Sequence, residues 1–236
     1  MRERFWEIDF SRGIAIILMV AFNYLFALQY FHIYQTGGGW LFWWLFPRIV
    51  ASMFIMLAGV SIAISFSKRK DYRKHFFVRG VKIFCLGLVI TAVTWLLFPE
   101  ETIFFGILHM IGAGIIISIF FVRFRVLNLL IGAVLISAGF FVERLTTNNL
   151  WFLWVGIAPE NFHTFDYFPL LPWLGMMLIG IFAGNTLYKK GKRTFEIRKT
   201  SLSKNMCFLG RHSLVIYMLH QVLLVLVLYA VGYIIL

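Results

Sequence analysis

The chain has 236 residues, of which 61% are hydrophobic and only 14% charged, and its formal net charge is +12. An apolar share of that size cannot be hidden in the core of a water-soluble domain, which excludes an ordinary soluble enzyme or binding module. The basic excess lies between long apolar stretches, where lipid headgroups account for it, so no nucleic-acid partner is expected.

Seven apolar stretches read as spans: residues 14–31, 41–65, 81–98, 103–122, 126–141, 170–187 and 214–236. Most approach the ~20 residues that a bilayer core requires, and 126–141 is short. Glu3, Glu7 and Asp9 stand among the leading arginines, and no small-residue cleavage site follows. The first stretch is therefore expected to remain as a span rather than leave as a signal peptide. With the N-terminus inside, twenty of the 22 Lys and Arg residues face the inner compartment. They are Arg2, Arg4, Arg12, the group from Lys68 to Lys82, Arg123, Arg125 and the group from Lys189 to Arg211. Only Arg48 and Arg144 fall on the outer side, and Glu100 and Glu101 sit in an outer turn. Positive charge in short loops sets orientation, so the pattern predicts an all-α, polytopic helix bundle of about seven transmembrane helices, N-in and C-out. A single domain is expected over residues 1–236.

Between the spans, 65–80 and 188–209 are basic connectors, the second long enough for a short surface helix. Residues 142–169 form a long outer loop whose apolar run 150–158 is too short to cross. That run is expected in the interface or as a lid, with Trp151 and Trp154 at headgroup depth. Cys85 and Cys207 map to the inner half, and no metal-ligand spacing is present in the chain.

Polar groups at membrane depth are costly and therefore informative. Arg12 and His32 are 20 residues apart, about 30 Å on a continuous helix, with Asn23 about 16 Å above Arg12. Arg12 either pairs with Asp9, three residues before it, or grips a phosphate arriving from inside. His32 is either an interfacial residue beside Tyr30 and Tyr34 or a base or acyl acceptor. His109 lies too deep to snorkel and is either a hydrogen-bonded core residue or an orienting group. Ser213 and His220 are seven apart and face one way. With Gly210, Arg211 and His212 they form a candidate anion site at a helix start, or Ser213 merely caps that helix. The glycine triplet 37–39 reads as a flexible outer turn.

Four blocks, RFWEIDFSRGIAIILMV (4–20), FGILHMIGAG (105–114), DYFPLLPWLGMMLIGIFAG (166–184) and FLGRHSLVIYMLHQ (208–221), resemble in order the catalytic domain of heparan-alpha-glucosaminide N-acetyltransferase and its microbial relatives. The resemblance implies a multi-span enzyme that takes acetyl-CoA and acylates a sugar amine across the membrane. The lysosomal member uses an Asn-Tyr pair in the first span, matched by Asn23-Tyr24, and a later histidine, matched by His32 across a small gap. Two departures stand out. Ala27 occupies a position where microbial relatives carry Asp, and His109-Met110 replace the Gln-Arg of the lysosomal form.

The mechanism expected from this resemblance takes acetyl-CoA or another acyl-CoA from the inner side. Arg12, Lys82 and Arg211 meet its phosphates, with Ser213 and His220 in the donor site. Asn23 donates to the thioester carbonyl. His32 either removes the acceptor's proton or carries the acyl group itself, with His109 as an orienting group. Trp151, Trp154 and Asp166 hold a sugar or glycan at the outer face. Partners beyond the bilayer, donor and acceptor are open, homo-oligomerisation included. The absence of an N-glycosylation sequon favours a prokaryotic cell membrane. A small transporter and a catalytically inactive membrane subunit are the competing readings.

Overall fold

The computed structural model describes residues 5–34, 37, 39–197 and 203–230. The fold is all-helical, 75% helix with no strand among the described residues, and Thr146 and Ala158 form an isolated bridge. The helices are α1 (Trp6–Tyr30), α2 (Trp40–Ser67), α3 (Tyr72–Leu97), α4 (Ile107–Phe121), α5 (Val126–Val142), α6 (Leu170–Leu187), α7 (Ser203–Arg211) and α8 (Ser213–Ala230). Among the described residues, α1, α2, α3 and α6 are long and apolar enough to cross a membrane, while α4 and α5 are shorter apolar helices.

Each predicted apolar stretch contains a helix, and α7 begins within the second basic connector and ends at Arg211, while residues 198–202 of that connector lie outside the described set. Helix ends differ from the hydropathy edges. α1 begins at Trp6 and α3 at Tyr72, well before residues 14 and 81. Lys and Arg are good helix formers, so the backbone keeps coiling where the hydrocarbon-like sequence stops. The first basic connector is therefore mostly helix. Arg2, Arg4, Gly38, Arg198, Lys199 and the last six residues of the final stretch lie outside the described residues.

The contacts divide the chain into two compact units, Met1–Phe54 with Ile197–Leu236, and Ile55–Glu196. In the first unit, α7 packs along the start of α1. A Cβ on Gly13 would strike the Met206 carbonyl, and one on Gly210 the Asp9 carbonyl, so both glycines permit backbone contact between antiparallel helices. Cys207 Sγ reaches the Trp6 carbonyl at 3.2 Å across the same seam. Farther along α1, Ile16 and Met19 bury with Val50 of α2, and Ile216 and Tyr217 of α8 join this cluster. Ala27 buries with Leu224 and Leu228 of α8. Low numbers meet low and high meet high, so α1 and α8 run parallel.

In the second unit, α3 and α4 are antiparallel, with Gly80 against Gly112 and Gly87 against His109. α5 and α6 are antiparallel through Gly132, Gly175 and Gly139, the last facing Pro172. The second half of α2 runs parallel to α6, since Met56 meets Gly180 and Val60 meets Gly184. Small residues let these helices approach where lipid supplies no hydrophobic drive.

Gly210→Val is expected to lower stability by about 1–3 kcal/mol by forcing α7 off α1. Gly37→Ala, with open space around it, should stay within about 0.5 kcal/mol. Thermal melts of both variants in detergent read the difference.

Candidate functional site

The first unit holds six of the sequence-predicted site residues: Arg12, Asn23, His32, Arg211, Ser213 and His220. Arg12 lies half-buried in the first turns of α1, its Nη1 3.4 Å from Asp9 Oδ1. Eleven residues on, the half-buried Asn23 returns to almost the same face, because eleven residues make close to three whole turns. Ile16, Met19 and Ala27, all buried, lie on the same stripe. Asn23 Nδ2 donates to the Met19 carbonyl at 2.9 Å, which occupies one of its two amide hydrogens.

His32 is not on the helix. α1 stops at Tyr30, and His32 has φ 56°, in the left-handed region. Its N–H donates to the Gln29 carbonyl, the Ile33 N–H donates to Leu28, and Ile33 packs beside Leu28. Those two bonds and the apolar contact make a Schellman cap with histidine in the place that glycine usually takes. The continuous ruler from Arg12 to His32 is thus corrected: about 10 Å of helix separates Asn23 from Tyr30, and His32 lies exposed beyond it.

At the other end of α1, Arg211 is exposed at the close of α7, its Nε donating to the Cys207 carbonyl at 3.0 Å. Because Gly210 touches Asp9, Arg12 and Arg211 are brought to one end of the unit. His212 turns its N–H back to Phe208 and Leu209, so this run finishes α7 as well as starting α8. Ser213 is the first residue of α8, and His220, half-buried, follows two turns later on the same face.

Lys82, His109, Asp166, Trp151 and Trp154 belong to the second unit. Lys82 is exposed on α3. His109 is 1% exposed between Phe84, 5.2 Å away edge-on, and Phe105, 5.7 Å away and stacked. Its Nδ1 accepts from the Gly106 N–H at 3.2 Å, which puts the proton on Nε2, 3.3 Å from Thr91 Oγ1. Thr91 Oγ1 in turn donates to the Ile103 carbonyl at 2.6 Å. Both ring nitrogens are occupied, so His109 braces α4 against α3. Asp166 Oδ2 accepts from the Ile107 N–H at 3.0 Å and caps the same helix start. Trp151 is 81% exposed and Trp154 50%, on a loop pinned by Tyr167 Oη to Leu153 and by the Leu170 N–H to Trp154.

The family model for the catalytic domain of heparan-alpha-glucosaminide N-acetyltransferase matches residues 4–222. The chain belongs to that family. It is accordingly a transferase of the membrane-embedded, acetyltransferase type. Searches of the curated proteins and of the solved structures returned no match.

Three features of this acetyltransferase-family chain go beyond the sequence reading, which places Arg48 only as an outer-side charge. Arg48 lies within α2, over the Trp44 ring at 4.4 Å, with Nη1 donating to the Trp44 carbonyl at 3.0 Å, next to Pro47 inside the same helix. It stands on the opposite side of α2 from the stripe that meets α1 (Phe46, Val50 and Phe54). Its position two turns inside an apolar stretch was the available signal. Asn128, fully buried, closes the α4–α5 turn by donating to the Phe121 and Phe124 carbonyls, while its Oδ1 has no protein partner. Burial pushes the Tyr167 phenol up to about 12.

Two outcomes follow from these contacts. His32→Gly relieves the left-handed cap and should raise stability by up to about 1 kcal/mol, seen as a higher melting temperature. Tyr167→Phe should cost about 1 kcal/mol at neutral pH. Because the folded-state pKa is raised, the wild-type advantage is complete below the usual tyrosine value of 10.0 and fades as pH climbs towards about 12. Denaturation of both forms across that window measures it.

Proposed function

We propose that the protein carries an acyl group, acetyl in the first instance, from cytoplasmic acyl-CoA to a hydroxyl or amine of a sugar or glycan at the outer face of a cell membrane. The observation that carries this reading is the single buried stripe of α1. It presents Arg12 near one end and Asn23 about 16 Å farther along, which suits a donor with phosphates at one end and a thioester at the other.

Helix directions support the topology behind it. Seven crossings make every odd-numbered crossing parallel to every other odd one, and every even to every even. If α7 lies on the surface, α1 with α8 and α2 with α6 are the parallel pairs, while α3 with α4 and α5 with α6 are antiparallel. The basic connectors then all fall on the cytoplasmic side.

In this reading Arg12 and Arg211 meet the donor phosphates as charge-assisted hydrogen-bond partners, and the exposed Lys82 is a further basic group suited to an anionic donor. Asn23 directs its remaining amide hydrogen at the thioester oxygen, where negative charge builds. His32 receives the acceptor at the outer end of α1. Trp151 and Trp154, exposed on the outer loop of their own unit, offer apolar ring faces to a sugar, whereas Asp166 supports that loop by capping α4 rather than touching the acceptor.

Acetyl-CoA at about a hundred times its Kd should stabilise the purified protein by about 2.7 kcal/mol. No thermal shift with acetyl-CoA or free CoA would sink the donor assignment. Arg12→Gln should weaken that binding roughly tenfold or more, through loss of a charge-assisted contact. His32→Ala should abolish transfer to an outer acceptor while sparing acetyl-CoA binding, and unaltered turnover would remove His32 from the site.

A further inference from the structure

The seam between α1 and α8 is apolar on both sides of one level. Met19 of α1 joins the cluster that includes Tyr217, and Ala27 joins the one that includes Leu224 and Leu228. Asn23 lies midway between Met19 and Ala27, on their face of α1. His220 lies between Tyr217 and Leu224, on their face of α8. Two parallel helices that pair above and below must therefore set Asn23 and His220 at one level of their seam. Both residues are half-buried.

The imidazole is also held in one tautomer. His220 Nδ1 is 2.6 Å from the Tyr217 carbonyl, which only accepts, so the ring proton sits on Nδ1. In the neutral ring Nε2 is then the acceptor, and among the described residues no hydrogen bond from a protein group reaches it. A neutral ring steered by a carbonyl, with its far nitrogen open, is the arrangement that a general base requires. The contrast with His109, whose two nitrogens are both engaged, is direct.

We propose that His220 is the proton-transfer group of the reaction, acting on the carbonyl that Asn23 polarises. This inference rests on the acyl-CoA reading above and adds a residue to it. The acceptor's O–H or N–H proton passes to His220 Nε2 as the acceptor heteroatom attacks the thioester carbon. Asn23 Nδ2 donates to the carbonyl oxygen while it carries negative charge. The carbon–sulfur bond then breaks, and the imidazolium returns the same proton to the thiolate, giving CoA thiol and the acylated acceptor. His32 cannot do this at the same carbonyl, because Asn23 lies about 10 Å of helix below the end of α1. The acceptor's reacting group must therefore reach about that far into the bundle.

Three measurements on the full-length protein test the proposal. The first is the thermal shift with acetyl-CoA. Its absence overturns the donor reading and this inference together, and its presence lets the other two judge His220 alone. The second is diethyl pyrocarbonate labelling read by peptide mass spectrometry. His220 should be carbethoxylated in the free protein and protected at least fivefold by saturating acetyl-CoA, and equal labelling with and without acetyl-CoA overturns the inference. The third is His220→Asn, whose amide can still donate to the Tyr217 carbonyl but carries no base at the Nε2 position. CoA thiol release from acetyl-CoA, with glucosamine as the probe acceptor, should fall at least about a hundredfold while the acetyl-CoA shift persists. Added imidazole should restore part of the rate in His220→Gly. Turnover by His220→Asn within about threefold of wild type overturns the inference. Should that variant not fold, His220→Gln is held to the same criterion.

Discussion

The backbone contact between α1 and α7 is what the candidate site depends on. Gly210 against Asp9 and Gly13 against Met206 tie the start of α1 to the helix that leads directly into α8. Once that end is fastened, α8 leaves in the direction of α1, and the two helices share one seam over their length. The register follows from side-chain size rather than from polar attraction. Ala27, almost fully buried, makes room for Leu224 and Leu228, and Ile16 and Met19 fill the other end. An interhelical hydrogen bond in lipid is worth about 0.6 kcal/mol on average, so a polar pair could not set this register alone. Apolar packing sets it, and the amide and imidazole occupy the interval left over.

Each of the seven apolar stretches holds a helix, and four of those helices are long and apolar enough to cross, because hydrocarbon imposes a length and a composition on anything that crosses it. The family was legible from four ordered blocks, which the match over residues 4–222 bears out. Helix ends were less readable, since hydropathy reports the solvent around a residue and not its backbone conformation. The basic stretch from Tyr72 shows this: its side chains are polar and its backbone is already α3.

At the site, residue types were readable and their geometry was not. A histidine two residues past a helix end gives no sign in sequence that it occupies a left-handed cap, because glycine is the residue that announces one. His109 and His220 look alike on paper, each within an apolar helix. What separates them is how the two nitrogens find partners: Gly106 and Thr91 engage one on each side of His109, whereas His220 turns Nδ1 to backbone carbonyls of its own helix. Asp166 carried a similar ambiguity. An acidic residue in a long outer loop suits ligand contact, yet here it completes the first turn of a helix 59 positions away.

The α5–α6 seam is closed to anything but its own two backbones. Gly132, Gly175 and Gly139 bring the two backbones into touch along most of their length, with Pro172 seated against Gly139. A methylene chain needs a slot several ångströms wide, and helices touching through glycine leave none. Along that line the seam behaves as a closed wall, with no room for a chain between the two helices.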